Sequence, residues 1–144
     1  MRKPIVFLIV WLLSGWGAST SHAQTNQNST KHNAIIEVLY FHATGRCPAC
    51  LAVENNTKKF LEESFKTEIE SGLISFSSVN FDEKEGRKLA DKYEVAFSSL
   101  LIITKKQKEE KTDLTTDAFL YAMNDPDKFK NLLVIEIQKK LNAQ

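Results

Sequence analysis

The chain contains two cysteines, and both fall in one short stretch, "FHATGRCPACLAVE" (41–54), as Cys47-Pro48-Ala49-Cys50. Two thiols separated by two residues support three kinds of chemistry. They can exchange a disulfide with a partner, the first thiolate attacking and the second releasing the product. They can bind a soft metal or metalloid, or supply half of a tetrahedral site. They can also form an inert bridge, although so small a loop constrains the unfolded chain little, which makes stability a poor reason for it. A structural zinc site wants four ligands, and outside the cysteines the segment after residue 23 offers only His32 and His42. A four-ligand site within one monomer is therefore disfavoured. Two cysteine pairs shared across a dimer, or arsenite held by both thiolates, stay open.

The first residues bear on the compartment. Arg2 and Lys3 precede the apolar run "IVFLIVWLL", which breaks at Ser14 and Gly15 and is followed by small residues ending in "SHA" before Gln24. This pattern predicts a signal peptide over 1–23, cut after Ala23. The run falls short of the ~20 apolar residues a membrane span needs, which leaves an uncleaved anchor as the alternative. Of the 144 residues, 121 then remain, enough for one domain with a real core. Arg2 and Lys3 leave with the signal, so 17 of the 19 basic residues face 18 acidic ones. That balance argues against nucleic acid or an anionic membrane surface as the main partner. Trp11 and Trp16 also leave, and the mature chain has no tryptophan. Export, to the periplasm in a Gram-negative cell, places the cysteines where disulfides form.

The elements around the cysteines follow from hydrophobic period. Residues 24–33, "QTNQNSTKHN", are polar and aperiodic and read as a flexible leader, leaving 34–144 as the folded domain. "AIIEVLYF" (34–41) has the composition and length of a strand, and His42 to Arg46 read as the loop after it. From Ala49 onward Val53, Thr57, Phe60, Leu61, Phe65 and Ile69 recur at steps of three and four, the inner face of one long helix that Gly72 ends. A second strand is expected at 73–82, a short helix at 84–93 facing inward through Leu89, Ala90 and Tyr93, and a strand buried on both faces at 99–104. The charged run 105–111 reads as a solvated turn, followed by a weak strand near 110–115 and a helical piece from Asp117 to Met123. Asp125 as N-cap and Pro126 at the first helical position open a last helix, with Phe129, Leu132, Leu133, Ile137 and Leu141 inward. The order β-α-β-α-β-β-α demands one parallel and one antiparallel pairing, hence an α/β domain with a central mixed four-stranded sheet and helices on both faces.

With these elements in place, the chain resembles the thioredoxin superfamily over roughly residues 34–143. A strand followed by "CPAC" and a long helix, "VNFD", and "LADKYEV" before "SSLLII" carry the likeness. A C-x-x-C near a βαβ pattern is specific for that fold. "VLYFHATGRCPACLAVE", "SSLLII" and "AFLYAMNDPDKFK" also resemble the small exported thioredoxin-like proteins of arsenical-resistance clusters, often labelled as a subunit of a nitrophenyl-compound reductase. The first likeness implies Cys47 as nucleophile and Cys50 as resolving thiol, and the second a membrane thiol donor as partner.

Placed at a helix start, Cys47 is exposed to the free N–H groups and positive dipole end that favour a thiolate. Arg46 adds a mobile positive charge beside it, and Pro48 presets the first helical φ while removing one donor. Several positions depart from the family. Arg46 stands where thioredoxins carry tryptophan. Leu39 and Tyr40 offer no acid beneath the resolving thiol, so either water or His42 takes its proton or the step is slow. Ser98 and Ser99 replace the proline that faces the dithiol, and could bind a docked substrate or let a metal approach. The glycine pair of a glutathione site is missing after the third strand.

The reading is an exported thiol–disulfide oxidoreductase that exchanges electrons with protein thiols or disulfides, using no cofactor beyond the Cys47–Cys50 disulfide, as a monomer. The alternative is a non-catalytic dithiol protein that carries a soft metal or metalloid such as arsenite.

Overall fold

The first strand, β1, runs Ile36–His42 and alternates its side chains between two cores. Ile36, Val38 and Tyr40 face one side of the sheet, Leu39 and Phe41 the other, and all five are buried. The computed structural model describes residues 35–143. The signal peptide and leader expected over 1–33 lie outside the described residues.

Eight further elements follow: α1 (Pro48–Ser64), α2 (Lys66–Glu70), β2 (Ile74–Asn80), α3 (Lys84–Tyr93), β3 (Ser99–Lys105), β4 (Glu109–Asp113), α4 (Thr115–Tyr121) and α5 (Pro126–Asn142). The strands form one sheet in the order β2-β1-β3-β4. β1 pairs parallel to β2, with Tyr40 opposite Ser78, and antiparallel to β3, with Phe41 opposite Ser99. β4 pairs antiparallel to β3 and closes the edge. Its sequence, EEKTD, is charged along most of its length, which keeps an open strand edge from pairing with another chain. β3, by contrast, is buried over its first six residues, as its unbroken apolar run requires.

One face of the sheet packs against α1, α4 and α5 through Val53, Phe60, Leu61, Ala118, Phe129, Leu133 and Ile137. Phe60 and Phe129 meet edge to face at 5.9 Å, joining α1 to α5. The other face packs against α3 and the segment after it through Ala90, Tyr93 and Val95. This is the mixed four-stranded sheet, covered on both faces, that the order of elements demands. No helix among the described residues is long and apolar enough to cross a membrane.

Three local differences have physical causes. The long helix expected from Ala49 to Gly72 breaks at Phe65, whose φ of −137° leaves the helical region. Neither proline nor glycine stands there, and the bonds from the Phe65 N–H to Leu61 and from the Ile69 N–H to Phe65 persist across the kink. Phe65 is itself buried among the α1–α5 core residues, so packing overrides helical regularity. Gly72 still ends the segment, at φ 75°. Next, α4 begins two residues ahead of Asp117, because the Asp113 carboxylate accepts the Thr115 N–H at 2.8 Å and starts the helix early. Finally, His42 ends β1 instead of opening the loop, as its carbonyl accepts the Phe81 N–H at 2.9 Å. Asp125 caps α5 as expected, its side chain accepting the Lys128 N–H at 3.1 Å.

Candidate functional site: a dithiol at a helix start

Cys47 is the N-cap of α1, with extended backbone (φ −86°, ψ 160°), and its Sγ accepts the Cys50 N–H at 3.1 Å. The sulfur thus takes the place that a serine or aspartate oxygen fills in an ordinary cap. Pro48 occupies the first helical turn, where its missing N–H would have had no partner. Cys47 is exposed, Cys50 is half-buried, and the two form a disulfide across a Cα–Cα distance of 5.0 Å. Solvent therefore reaches the first sulfur more readily, the asymmetry that a nucleophile and a resolving thiol need.

The loop that presents Cys47 is tied to the end of the neighbouring strand, β2, where Asn80 pairs with His42. The Thr44 N–H donates to Asp82 Oδ2 at 2.8 Å, and Asn80 Nδ2 donates to the Thr44 hydroxyl at 3.0 Å. The backbone hydrogen bond from Thr44, with the Arg87 charge nearby, holds the Asp82 carboxyl below its usual value. The β2–α3 turn therefore fixes the height at which the dithiol helix begins.

Tyr40 lies beneath the cysteines. Its ring is buried, and its hydroxyl donates to the Cys50 carbonyl at 2.9 Å. Ser98, on the loop before β3, lies near the same phenol and works to lower its pKa. Burial pushes the Tyr40 phenol above its usual value and outweighs the opposing pull of Arg46 and Ser98. His42 stacks on Tyr40 at 6.0 Å, and its Nδ1 donates to its own neighbour's carbonyl, Ala43, at 2.8 Å. In the neutral ring that leaves Nε2 as an acceptor.

The two serines take different positions. Ser99 is buried and its hydroxyl donates to the Phe97 carbonyl at 2.9 Å, so it closes the loop. Ser98 is partly exposed and reaches Tyr40, on the side of the dithiol. The Arg46 guanidinium pairs with Glu54 and lies 5.8 Å from the centroid of the Tyr40 ring. Burial works to raise the Glu54 carboxyl, but hydrogen bonds from Ser78 and Arg46, with the charges of Arg46 and His42, hold it below its usual value.

Glu54 and Phe97 are residues of this region that the sequence reading passed over. Glu54 stands four residues after Cys50, a helical neighbour by spacing alone. Phe97 is 67% exposed in the loop before the serines. No group of three or more His, Cys, Asp and Glu side chains suited to a metal ion occurs among the described residues.

No family model and no curated protein matches the chain. Among solved structures it is similar to a thioredoxin from Thermus thermophilus, at 20% identity over 73% of this chain and 75% of that one, with a TM-score of 0.47. It is also similar to a thioredoxin from Wuchereria bancrofti, at 23% identity over 72% and 83%, TM-score 0.43, and to a malarial protein, at 23% over 59% and 92%, TM-score 0.39. The strand order and directions, with the C-x-x-C at the start of α1, are those of a thioredoxin-like fold.

Proposed function

We infer that this chain is a thiol–disulfide oxidoreductase whose working group is Cys47–Cys50. The observation that carries the reading is the position of Cys47: an exposed N-cap sulfur, bonded to a half-buried Cys50 and accepting its N–H. A helix N-terminus favours the thiolate over the thiol, and the thiolate is the species that attacks disulfides.

Starting from the reduced pair, the Cys47 thiolate attacks one sulfur of a partner disulfide, and that partner's other sulfur leaves as thiolate and takes up a proton. Cys50 then loses its proton and attacks Cys47 Sγ. The Cys47–partner bond breaks, and the second partner thiolate leaves and is protonated. Two electrons and two protons pass to the partner, and the Cys47–Cys50 disulfide forms. Run in reverse, the same steps oxidise a partner dithiol. His42, whose neutral ring leaves Nε2 as an acceptor, would take the Cys50 proton through water, and Ser98 would bond a docked chain.

Export to an oxidising compartment, protein thiols or disulfides as partners, and a membrane thiol donor complete the proposal. The finer likeness to the exported proteins of arsenical-resistance clusters rests on the quoted segments, and within such a system this chain would deliver electrons, since it carries no phosphate-cradling glycine motif.

Trapping tests the reading. In cells that express the full chain, Cys50→Ala is expected to accumulate mixed disulfides with other proteins through Cys47, while Cys47→Ala shows none. Absence of adducts in the Cys50→Ala strain would overturn catalysis and favour a dithiol that carries a soft metal or metalloid.

A further inference from the structure

The positive charge that precedes the nucleophile in sequence is paired with a carboxylate of the same helix. Arg46 precedes Cys47 in sequence, yet its guanidinium pairs with Glu54, near the end of the second turn of α1. At 1.5 Å of rise per residue, Glu54 lies about 10 Å along the helix from Cys47. Both members are shielded, with side chains 22% and 19% exposed. Glu54 shares a helix face with Cys50, and helical side chains lean toward the N-terminus, which brings the carboxylate back over the turn that holds the resolving thiol.

The surroundings of the pair are polar on every packed element. From β1 come Tyr40, with its ring near the guanidinium and its hydroxyl on the Cys50 carbonyl, and His42, stacked on Tyr40. From β2 Ser78 works to lower the Glu54 carboxyl, and before β3 Ser98 lies near Tyr40. Arg46 Nε is buried with no hydrogen-bond partner among the described residues, an arrangement that stability alone does not favour.

We propose that Arg46 and Glu54 are a positioning pair for the dithiol, in which Glu54 draws the Arg46 charge down the helix and the balance of the two charges sets how readily Cys47 ionises. The proposal deepens the reading of Cys47–Cys50 as an exchange centre and rests on it. Its consequence is a pair of opposite signs. Glu54→Gln frees Arg46 to approach Cys47 and favours the thiolate. Arg46→Gln leaves the Glu54 charge uncompensated and disfavours it. The double variant removes both charges and restores the balance.

The experiment is alkylation of Cys47 by iodoacetamide in the reduced, purified full chain as a function of pH, read by peptide mass. In Glu54→Gln the midpoint is expected to fall by about half a pH unit or more, in Arg46→Gln to rise by a similar amount, and in the double variant to return to within about 0.2 units of the native chain. The equilibrium constant with glutathione is expected to shift about threefold toward the reduced protein in Glu54→Gln, following the thiolate. Two single variants that move the midpoint in the same direction, or leave it in place, overturn the proposal, since disturbed packing at the helix start gives one sign for both. Alkylation needs no partner protein, so this outcome is independent of whether Cys50→Ala traps adducts.

Discussion

Tyr40 is the residue at which the sheet, the dithiol helix and the loop before β3 meet. Its hydroxyl holds the Cys50 carbonyl at 2.9 Å, so one phenol ties the helix start to the first strand, with Ser98 of the loop before β3 nearby. Tyr40→Phe keeps the ring in the core and removes that link. Because Cys50 also accepts its helical hydrogen bond through the same carbonyl, no group is left unpaired, and the loss is expected at about 1 kcal/mol in urea unfolding. The pH dependence has a definite sign. Tyr40 is raised above its usual value of 10.0 in the folded chain, so the unfolded chain gives up this proton first as pH rises. The stabilisation is complete below pH 10 and is lost as pH climbs through the folded value. Urea midpoints measured from pH 7 to 11 are expected to fall less steeply for Tyr40→Phe than for the native chain. An equal fall in both would show that Tyr40 keeps its proton no more tightly folded than unfolded. The tyrosine was legible in the sequence only as a strand residue that offers no acid beneath the resolving thiol, because a strand pattern says nothing of where a hydroxyl ends.

At the scale of elements, the junction of β2 and α3 is bonded to the loop that carries the dithiol. A Cβ added to Gly86 would stand 1.9 Å from the Asn80 carbonyl oxygen, a backbone atom that has little room to yield. Asn80 and Asp82 in turn hold Thr44 of the loop before Cys47. Gly86→Ala is therefore expected to cost about 1–3 kcal/mol as an overpacked contact and also to slow reaction of the oxidised pair with a small thiol. Thermal unfolding with thiol-exchange kinetics checks both. A stable variant with normal exchange would uncouple the turn from the loop. Much of this level was readable beforehand: α3 spans 84–93 as its period implies, and Asp125-Pro126 marks the start of α5. What escaped is tertiary. Phe65 breaks a regular helical period because its ring is taken into the core. Glu94 adopts the left-handed conformation, φ 59°, at a helix end closed by bonds from Glu94 to Asp91 and from Val95 to Ala90, a position usually given to glycine. The Arg46–Glu54 pair joins residues eight apart, and spacing gives Glu54 as a neighbour of Cys50 without naming the partner that reaches it from the loop.

For the molecule as a whole, the question is what the bridge does for the fold. Neither cysteine belongs to either core: the buried clusters on the two faces of the sheet are complete without them. The loop closed by Cys47–Cys50 spans two residues, and the chain-entropy model assigns so short a loop roughly 2 kcal/mol. A domain of this size is usually stable by about 5–15 kcal/mol, so reduction is expected to leave it folded, with one cooperative urea transition in each redox state and a gap of about 2 kcal/mol or less between them. Unfolding on addition of reductant would identify the bridge as a structural clip and end the exchange reading. The gap also carries chemical information. Oxidised and reduced chains, folded and unfolded, close a thermodynamic cycle, so the difference between the two unfolding free energies equals the energy by which folding shifts the potential of the pair, ~30 mV for each 1.4 kcal/mol. A reduced form more stable than the oxidised one marks a dithiol that the fold makes an oxidant. The opposite order marks a reductant, and two unfolding curves decide between them with no knowledge of the partner.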